Sequence, residues 1–302
     1  MNTNRDSSQK VTTFGGRPHR KGRAGWIPTY HGAWAMITVP ILLGITIGGP
    51  VWEHALLLGL WWVGYFAFYA TGLWLRSRRR PSYFPPVRAY VLATLPFGIA
   101  LAVTSPFLLW WIPVFLPLIA VTVWASIHRK DRSILNDAAT VSAASLTLPV
   151  AYDLGTHHIV TASTPQSWDL PLPGPLLHST VTLPGTSADA SLTGWAWIWL
   201  VTLIVSWYFL GTIFYVKTNI RERGKVVWYI ASILFHGSGL VLVSVLAGIG
   251  VLSWWMFALW VIIATRAAAV PAWGYHHTWL SPLALGLGEV ALSIALFAIM
   301  LA

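Results

Sequence analysis

Residues 207–225 read WYFLGTIFYVKTNIRERGK, an apolar segment that ends in a run containing four cations. This pattern is typical of a membrane-spanning helix that meets a cytoplasmic loop, because lysine and arginine accumulate on the cytoplasmic side of membranes. If the helix continues past Val216, then Lys217 and Arg221 lie four residues apart on one face, where both can hold one anion. The same cations also suit a plain anchor at the membrane surface.

The composition of the whole chain is that of a membrane protein. Of its 302 residues, 56% are hydrophobic and 9% are charged, and the mean hydropathy is +0.64. An ordinary soluble domain has roughly 25% charged residues. The net charge of +10 does not indicate nucleic-acid binding, because the cations fall in predicted loops. The chain has no cysteine, which excludes disulfides, thiolate metal sites and cysteine nucleophiles.

Nine apolar segments follow a basic tail at residues 1–30, which has too few apolar groups to fold on its own. With the N-terminus inside, all 19 lysines and arginines fall in the tail or at predicted cytoplasmic helix ends. We therefore expect an all-α transmembrane bundle forming one domain over residues 31–302, with the C-terminus outside. The predicted segments are 31–49, 55–75, 89–104, 106–126, 135–153, 194–216, 226–247, 250–265 and 281–301.

One long outer loop is predicted at about residues 155–193, which are rich in proline, serine, threonine and glycine. It contains His157, His158 and His178. Adjacent histidines can bind a metal, but no carboxylate or cysteine follows them at a ligand interval. The sequence therefore favours a plain loop, and it predicts neither a metal nor a cofactor.

Two ionisable residues fall inside predicted helices, where a charge is costly and usually functional. Glu289 lies about two turns into the ninth helix, and His236 lies about three turns into the seventh. A Glu–His pair in the inner half of the membrane can relay protons, act as a general base, or join two helices by a hydrogen bond.

Further polar residues gather at the predicted cytoplasmic ends of the helices, around a fifth helix that is rich in small and polar residues. Together they predict a cavity that opens to the cytoplasm and binds an anionic or isoprenoid lipid, with the cations at its rim contacting the headgroup. The predicted ligand-binding residues are Lys217, Arg221, Arg266 and Asn136. The candidates for orienting the ligand or moving protons are His31, Asp137, His236 and Glu289.

Three short motifs stand out at the predicted cytoplasmic ends of helices: HGAWAM at residues 31–36, RSILND at 132–137 and KTNIRER at 217–223. They resemble the YwiC-like family of bacterial membrane proteins, and the first motif is the most distinctive. The likeness covers about residues 26–300 apart from the outer loop. It implies a multi-pass protein of the bacterial cytoplasmic membrane and carries no biochemical activity with it.

The nine-helix plan is also similar to that of the UbiA-type intramembrane prenyltransferases, which place Asp-rich motifs after helices 2 and 6 to hold Mg²⁺. This chain has arginines at 76–80 instead, and Glu222 is the one carboxylate after helix 6. Asn136 and Asp137 begin like the Asp-rich motif, but they lie on helix 5 and Thr140 occupies the matching acidic position. The two-motif metal site is therefore not reproduced, and the sequence leaves enzymatic activity open.

Two other functions remain open at this point. One is a small-molecule or proton-coupled transporter with Glu289 as the carrier group and His236 as its partner. The other is an assembly or scaffold protein of a larger membrane complex, in which these polar residues only hold helices together.

Overall fold

A computed structural model describes residues 25–28, 33–163, 175 and 181–302. Within these ranges the chain is helical, and the one β-type contact is an isolated bridge between Thr186 and Thr193. Short helical turns cover Pro81–Tyr83 and Pro106–Trp111, and a π-helical turn covers Lys217–Arg221. The α-helices are α1 (Ala33–Gly48), α2 (Glu53–Arg76), α3 (Phe84–Thr104), α4 (Ile112–Ile127), α5 (Ile134–Ser145), α6 (Thr147–Ser163), α7 (Gly194–Val216), α8 (Val226–Gly248), α9 (Trp254–His276) and α10 (Pro282–Leu301).

Eight segments of the described chain are long and apolar enough to cross a membrane. Helices α5 and α6 together form one of them, Ile134–Thr161, and α7 with the π turn forms another, Gly194–Arg221. Helix α1 is also apolar but has 16 residues, a length of about 24 Å at 1.5 Å per residue. The predicted all-α multi-pass bundle is thus confirmed.

Two helices continue well past their predicted C-terminal ends. The fifth predicted segment continues as α6 to Ser163, so His157 and His158 lie on a helix and the outer loop begins later than residue 155. The eighth continues as α9 to His276, because alanines at 267–269 are strong helix formers. Arg266 therefore lies inside a helix rather than at its end. Of the predicted tail at residues 1–30, the structure describes residues 25–28. His178 falls outside the described residues.

Helix α7 occupies the centre of the bundle. It packs against α1, α5, α6, α8 and α10, and its buried side chains include Ile198, Val201, Ile204 and Val205. Helices α3 and α4 lie at the periphery and present exposed apolar side chains such as Leu92 and Leu116. Such faces suit contact with lipid, since lipid tails are as apolar as leucine.

Glycines allow α1 and α6 to approach closely. A Cβ atom added at Gly44 would lie 2.2 Å from the carbonyl oxygen of Leu148, and one added at Gly48 would lie 3.0 Å from the Cα of Tyr152. Small residues at helix contacts have this effect in membranes, where packing rather than the hydrophobic effect drives helix association. The α1–α6 contact thus depends on the absence of a side chain at these positions.

We expect the substitution Gly44→Ala to lower the free energy of unfolding by about 1–3 kcal/mol, because the new methyl group must displace backbone atoms. The matched control is Gly237→Ala on α8, where an added Cβ meets nothing within 4 Å; there alanine should be neutral or stabilising by up to about 1 kcal/mol. Thermal unfolding of both variants in detergent tests the difference. Equal melting temperatures would show that α1 and α6 are not in such close contact.

Candidate functional site

Lys217 is a cation that the π turn carries into the protein. Its side chain is 6% exposed, and Nζ lies 2.6 Å from Oδ2 of Asp137. Nζ also donates to the backbone oxygen of Arg132 at 3.0 Å and lies 5.3 Å from the ring centroid of Trp228. A buried ammonium requires such partners, because removing it from water is costly. The contacts join the segments 132–137 and 217–223, two of the three motifs that resemble the YwiC-like family.

The π turn separates Lys217 from Arg221. The amide of Glu222 donates to the carbonyl oxygen of Lys217 at 2.8 Å, which closes a loop one residue wider than that of an α-helix. Lys217 is buried while Arg221 is exposed. The prediction that both side chains share one face assumed α-helical spacing, and the wider turn does not provide it.

The loop between α4 and α5 is held in place by its neighbours. Asn136 Nδ2 donates to the backbone oxygen of Asp131 at 2.8 Å, and Lys217 donates to the next carbonyl, that of Arg132. The hydroxyl of Ser126 donates to Oδ1 of Asp131 at 2.9 Å. Ser133 caps α5 by accepting from the Asn136 amide at 3.2 Å. The predicted ligand-binding residues Lys217 and Asn136 therefore contact the backbone of this loop.

Helices α2 and α4 end in a similar way, with arginine in left-handed backbone conformations that usually favour glycine. Arg78, Arg79 and Arg129 have φ values of 62°, 58° and 57°. The amide of Arg79 donates back to Trp74 at 2.9 Å, and that of Lys130 donates back to Ala125 at 2.7 Å. Glycine is the usual residue after such helix ends, because a side chain there costs about 1 kcal/mol or more.

Two hollows open where these helix ends meet, and we call them the basic hollows. They have volumes of about 530 and about 410 Å³. The larger is lined by Arg76, Arg129, Lys130, Asp131, Arg132 and Ser133. The smaller is lined by Leu73, Arg76, Ser77, Arg78, Arg80, Tyr83 and Arg129.

The six cations of the basic hollows form no ion pair with any residue in the described ranges. The ion pairs found there are Lys217–Asp137, Lys225–Glu222 and Arg266–Glu289. Among the described residues, Asp131 is the one carboxylate that lines either hollow, and it accepts the Ser126 hydroxyl instead. The hollows therefore present positive charge that the surrounding described residues do not balance.

A second polar cluster lies inside the bundle, between α7, α9 and α10. Arg266 pairs through Nη1 with Oε1 of Glu289, whose side chain is 3% exposed. Oε2 of Glu289 accepts the hydroxyl of Thr212 at 2.8 Å. The ring of Tyr215 covers the guanidinium, with its centroid 4.1 Å from Cζ of Arg266. The predicted anion-binding Arg266 and the predicted proton carrier Glu289 thus contact each other.

Hydrogen bonds extend this cluster along α7 and α10. The hydroxyl of Tyr208 donates to the backbone oxygen of Glu289 at 3.2 Å and lies 3.1 Å from Oγ of Ser293. Ser293 donates to the same carbonyl oxygen at 2.7 Å. These bonds hold the backbone of α10 against α7 at the level of Glu289.

His236 faces α7 from α8 and is 4% exposed. Its Nδ1 lies 2.7 Å from the backbone oxygen of Ser232, so Nδ1 carries the hydrogen and Nε2 is an acceptor. A Cβ added at Gly211 would lie 3.0 Å from Nε2. Nε2 of His236, and Nε and Nη2 of Arg266, are buried without a hydrogen-bond partner among the described residues.

The structure thus divides the predicted site residues between two places. Lys217, Asp137 and Asn136 lie beside the basic hollows, while Arg266, Glu289 and His236 lie in the bundle interior. Arg221 is exposed and belongs to neither cluster. His31 falls outside the described residues.

Sequence reasoning missed two buried ionisable residues, Asp153 and His54. Asp153 is fully buried on α6 and accepts Nε1–H of Trp111 at 2.8 Å. His54 on α2 lies 2.8 Å from the carbonyl oxygen of Ala151. Asp153 was at the predicted end of its helix, where a carboxylate is unremarkable, and only the continuation of α6 places it in the interior. The described residues contain no group of three or more His, Asp or Glu side chains that could hold a metal ion.

Comparison with known proteins agrees with the motifs. Residues 27–152 match the family model described as YwiC-like protein. A Bacillus subtilis (strain 168) protein described as uncharacterized protein YwiC is 28% identical over 251 residues, which cover 83% of this chain and 86% of that protein. An uncharacterized Haemophilus influenzae (strain ATCC 51907 / DSM 11121 / KW20 / Rd) protein is 23% identical over 210 residues, 70% of this chain and 74% of that protein. No solved structure matches the chain.

We expect the substitution Lys217→Met to lower the free energy of unfolding by about 3 kcal/mol or more, because it leaves the Asp137 carboxylate without its partner. The double variant Lys217→Met/Asp137→Leu should recover part of this loss, since no unpaired charge remains. Denaturant titration of the two single variants and the double variant gives the coupling energy. Strictly additive effects would contradict a direct interaction between the two side chains.

Proposed function

We propose that this YwiC-like multi-pass membrane protein binds the phosphate-bearing head of an anionic lipid in the basic hollows. The family resemblance and the membrane-spanning helices provide the setting. The observation that carries the proposal is the set of six cations around the hollows, none of which pairs with a carboxylate in the described ranges. A phosphate group, whose oxygens accept hydrogen bonds from guanidinium groups, is the natural partner of such a set.

The dimensions of the hollows support a headgroup as the ligand. Their volumes of about 530 and about 410 Å³ fall within the roughly 300–1,000 Å³ of small-molecule sites. Both are lined by Arg76 and Arg129, so a head with two phosphates can contact both hollows at once. An isoprenoid diphosphate and a glycerophospholipid share this chemistry.

The neighbouring helices provide a place for the lipid tail. Helix α4 ends at the hollows, and its side chains Leu116, Ile119 and Ile127 are at least half exposed. Trp124 is also exposed, and Lys130 lies 5.1 Å above its ring, an arrangement typical of the membrane–water interface. A lipid with its head in the hollows can therefore keep its tail in the bilayer, along α4.

The Lys217–Asp137 pair and Asn136 have a supporting role in this proposal. Lys217 and Asn136 position the loop that supplies Arg129 and Arg132, while the charge of Lys217 is balanced by Asp137. Binding in this way uses arginines rather than a carboxylate-held Mg²⁺, because the described residues place a single carboxylate, that of Asp131, in the lining of the larger hollow. The proposal concerns binding, and it requires no prenyl transfer.

Arg129→Gly is the sharpest test of the proposal. Glycine accepts the left-handed backbone at this position, so the free energy of unfolding should stay unchanged or rise by up to about 1 kcal/mol. The affinity for phosphatidylglycerol should nevertheless fall about fivefold, the effect of losing roughly 1 kcal/mol per cation. Native mass spectrometry of the gently extracted protein, titrated with phosphatidylglycerol and separately with inorganic pyrophosphate, measures the affinity and distinguishes a lipid from a free phosphate.

The matched control is Arg88→Gln, which removes an exposed cation of α3 that lines neither hollow. It should leave lipid binding unchanged. Arg221→Gln tests the prediction from sequence that Arg221 holds the head. If Arg221→Gln weakens binding and Arg129→Gly does not, the site lies at the π turn; if neither variant differs from Arg88→Gln, the headgroup proposal is wrong.

The proposed orientation places the basic hollows and the N-terminus in the cytoplasm. The chain contains no cysteine, so single cysteines can be introduced without removing any native one. We expect Ser82→Cys, beside the hollows, to react with a membrane-impermeant maleimide only after cells are opened, and Ser191→Cys, between α6 and α7, to react in intact cells. The reverse pattern would invert the proposed topology.

A further inference from the structure

We propose that the Arg266–Glu289 pair is a binding site for a small carboxylate anion, which enters together with one proton. The site lies between α7, α9 and α10, apart from the basic hollows, and the inference does not rest on the proposed lipid binding. In the exchange, Glu289 takes up the proton and becomes neutral, and the incoming anion replaces it as the partner of Arg266. No covalent bond other than the new O–H bond of Glu289 forms.

The unused donors of Arg266 support the choice of ligand. Glu289 contacts the guanidinium through Nη1, while Nε and Nη2 are buried without a hydrogen-bond partner in the described part of the chain. Nε and Nη2 form one of the two edges from which a guanidinium donates a pair of parallel hydrogen bonds to a carboxylate. One bidentate edge of Arg266 is thus without a hydrogen-bond partner among the described residues, while the other remains near Glu289.

Charge balance couples the anion to a proton. Inside the bundle one cation compensates one anion, and an extra unpaired charge is too costly to bury. If a second carboxylate binds Arg266 while Glu289 is ionised, the cluster has a net negative charge. Protonation of Glu289 removes that charge, so the site is neutral before and after the exchange.

Apart from His236, the groups around Glu289 do not offer another way to balance the charge. From α7 it faces Thr212 and the neutral phenols Tyr208 and Tyr215. The described part of α1, which also packs against α10, has no titratable side chain. Lys217, in the π turn that contacts α9, is already paired with Asp137.

His236 is the remaining titratable neighbour, and α8 packs against both α7 and α9. Its Nε2 is a buried acceptor without a partner among the described residues, and it faces α7 at Gly211. Because Nδ1 is held by the carbonyl oxygen of Ser232, Nε2 is the nitrogen that can receive a proton. The transporter alternative raised by the sequence needs such a pair of groups, an acid and a base, within the membrane.

The experiment measures formate binding to the full-length protein in detergent, by calorimetry in two buffers that differ in ionisation enthalpy. The difference in observed binding enthalpy between the two buffers, divided by the difference in their ionisation enthalpies, gives the number of protons taken up per formate. We expect one proton per formate in the wild-type protein and an affinity that falls about tenfold for each unit of pH above the range in which Glu289 is protonated.

Glu289→Gln imitates the protonated carboxyl group, so it tests whether Glu289 takes up the proton that accompanies formate. It should bind formate with no proton uptake and with an affinity that does not depend on pH. Because this variant leaves Arg266 unpaired, formate should also raise its melting temperature more than that of the wild type. Arg266→Lys, which lacks the two-donor edge, should bind formate at least tenfold more weakly than the wild type.

The controls keep this inference separate from the lipid site. Asp153→Asn removes another buried carboxylate and should leave proton uptake at one, and Arg129→Gly should not change formate binding. Failure of both the wild type and Glu289→Gln to bind formate would overturn the inference. Equal proton uptake by the wild type and Glu289→Gln would show that another group takes the proton.

Discussion

The buried contact between Lys217 and Asp137 is the interaction on which the basic side of the bundle depends. An ammonium and a carboxylate that leave water each lose several kcal/mol of solvation, which only a close partner restores. The start of α5 must therefore meet the end of α7, although 80 residues separate the two side chains along the chain. The π turn at the end of α7 brings Lys217 inward, and the same ammonium fixes the loop that lines the larger hollow.

The same cost of removing charges from water applies to Arg266 and Glu289 deeper in the bundle, but their contact leaves hydrogen-bond donors unpaired among the described residues. Lys217 has three donors and three neighbours that can accept them: a carboxylate, a carbonyl group and an aromatic ring. Arg266 has hydrogen-bond donors without a partner, because its contact with Glu289 through Nη1 leaves Nε and Nη2 without partners in the described residues. An ammonium held by a carboxylate, a carbonyl group and an aromatic ring is suited to holding helices together. A pair with donors to spare is suited to exchanging partners, which is the physical basis for assigning anion binding to Arg266.

The basic hollows differ from both pairs, because none of their six cations forms an ion pair with a carboxylate in the described part of the chain. Two of their arginines, Arg78 and Arg129, occupy left-handed backbone positions where glycine is the easier residue, as does the neighbouring Arg79. Retaining positive charge there at a cost in stability favours a role for the charge itself, and an anionic lipid head is the partner that a membrane surface supplies. The relatives in Bacillus subtilis and Haemophilus influenzae carry no activity in their descriptions, so the geometry rather than the comparison motivates this function.

The sequence by itself determined the architecture, because apolar length and the placement of cations are properties of continuous segments. It also singled out Lys217, Asp137, Arg266 and Glu289 as candidate site residues. Only the tertiary structure decided how they combine: Lys217 and Arg266, two of the predicted anion-binding cations, pair with the predicted proton-moving acids Asp137 and Glu289. Positive charge without a partner among the described residues collects instead at the ends of α2 and α4. Helices α6 and α9 also end later than the sequence predicted, so that Asp153 and Arg266 lie in the interior. Ion pairing inside a membrane depends on which helices touch, and residues far apart in the sequence make that contact.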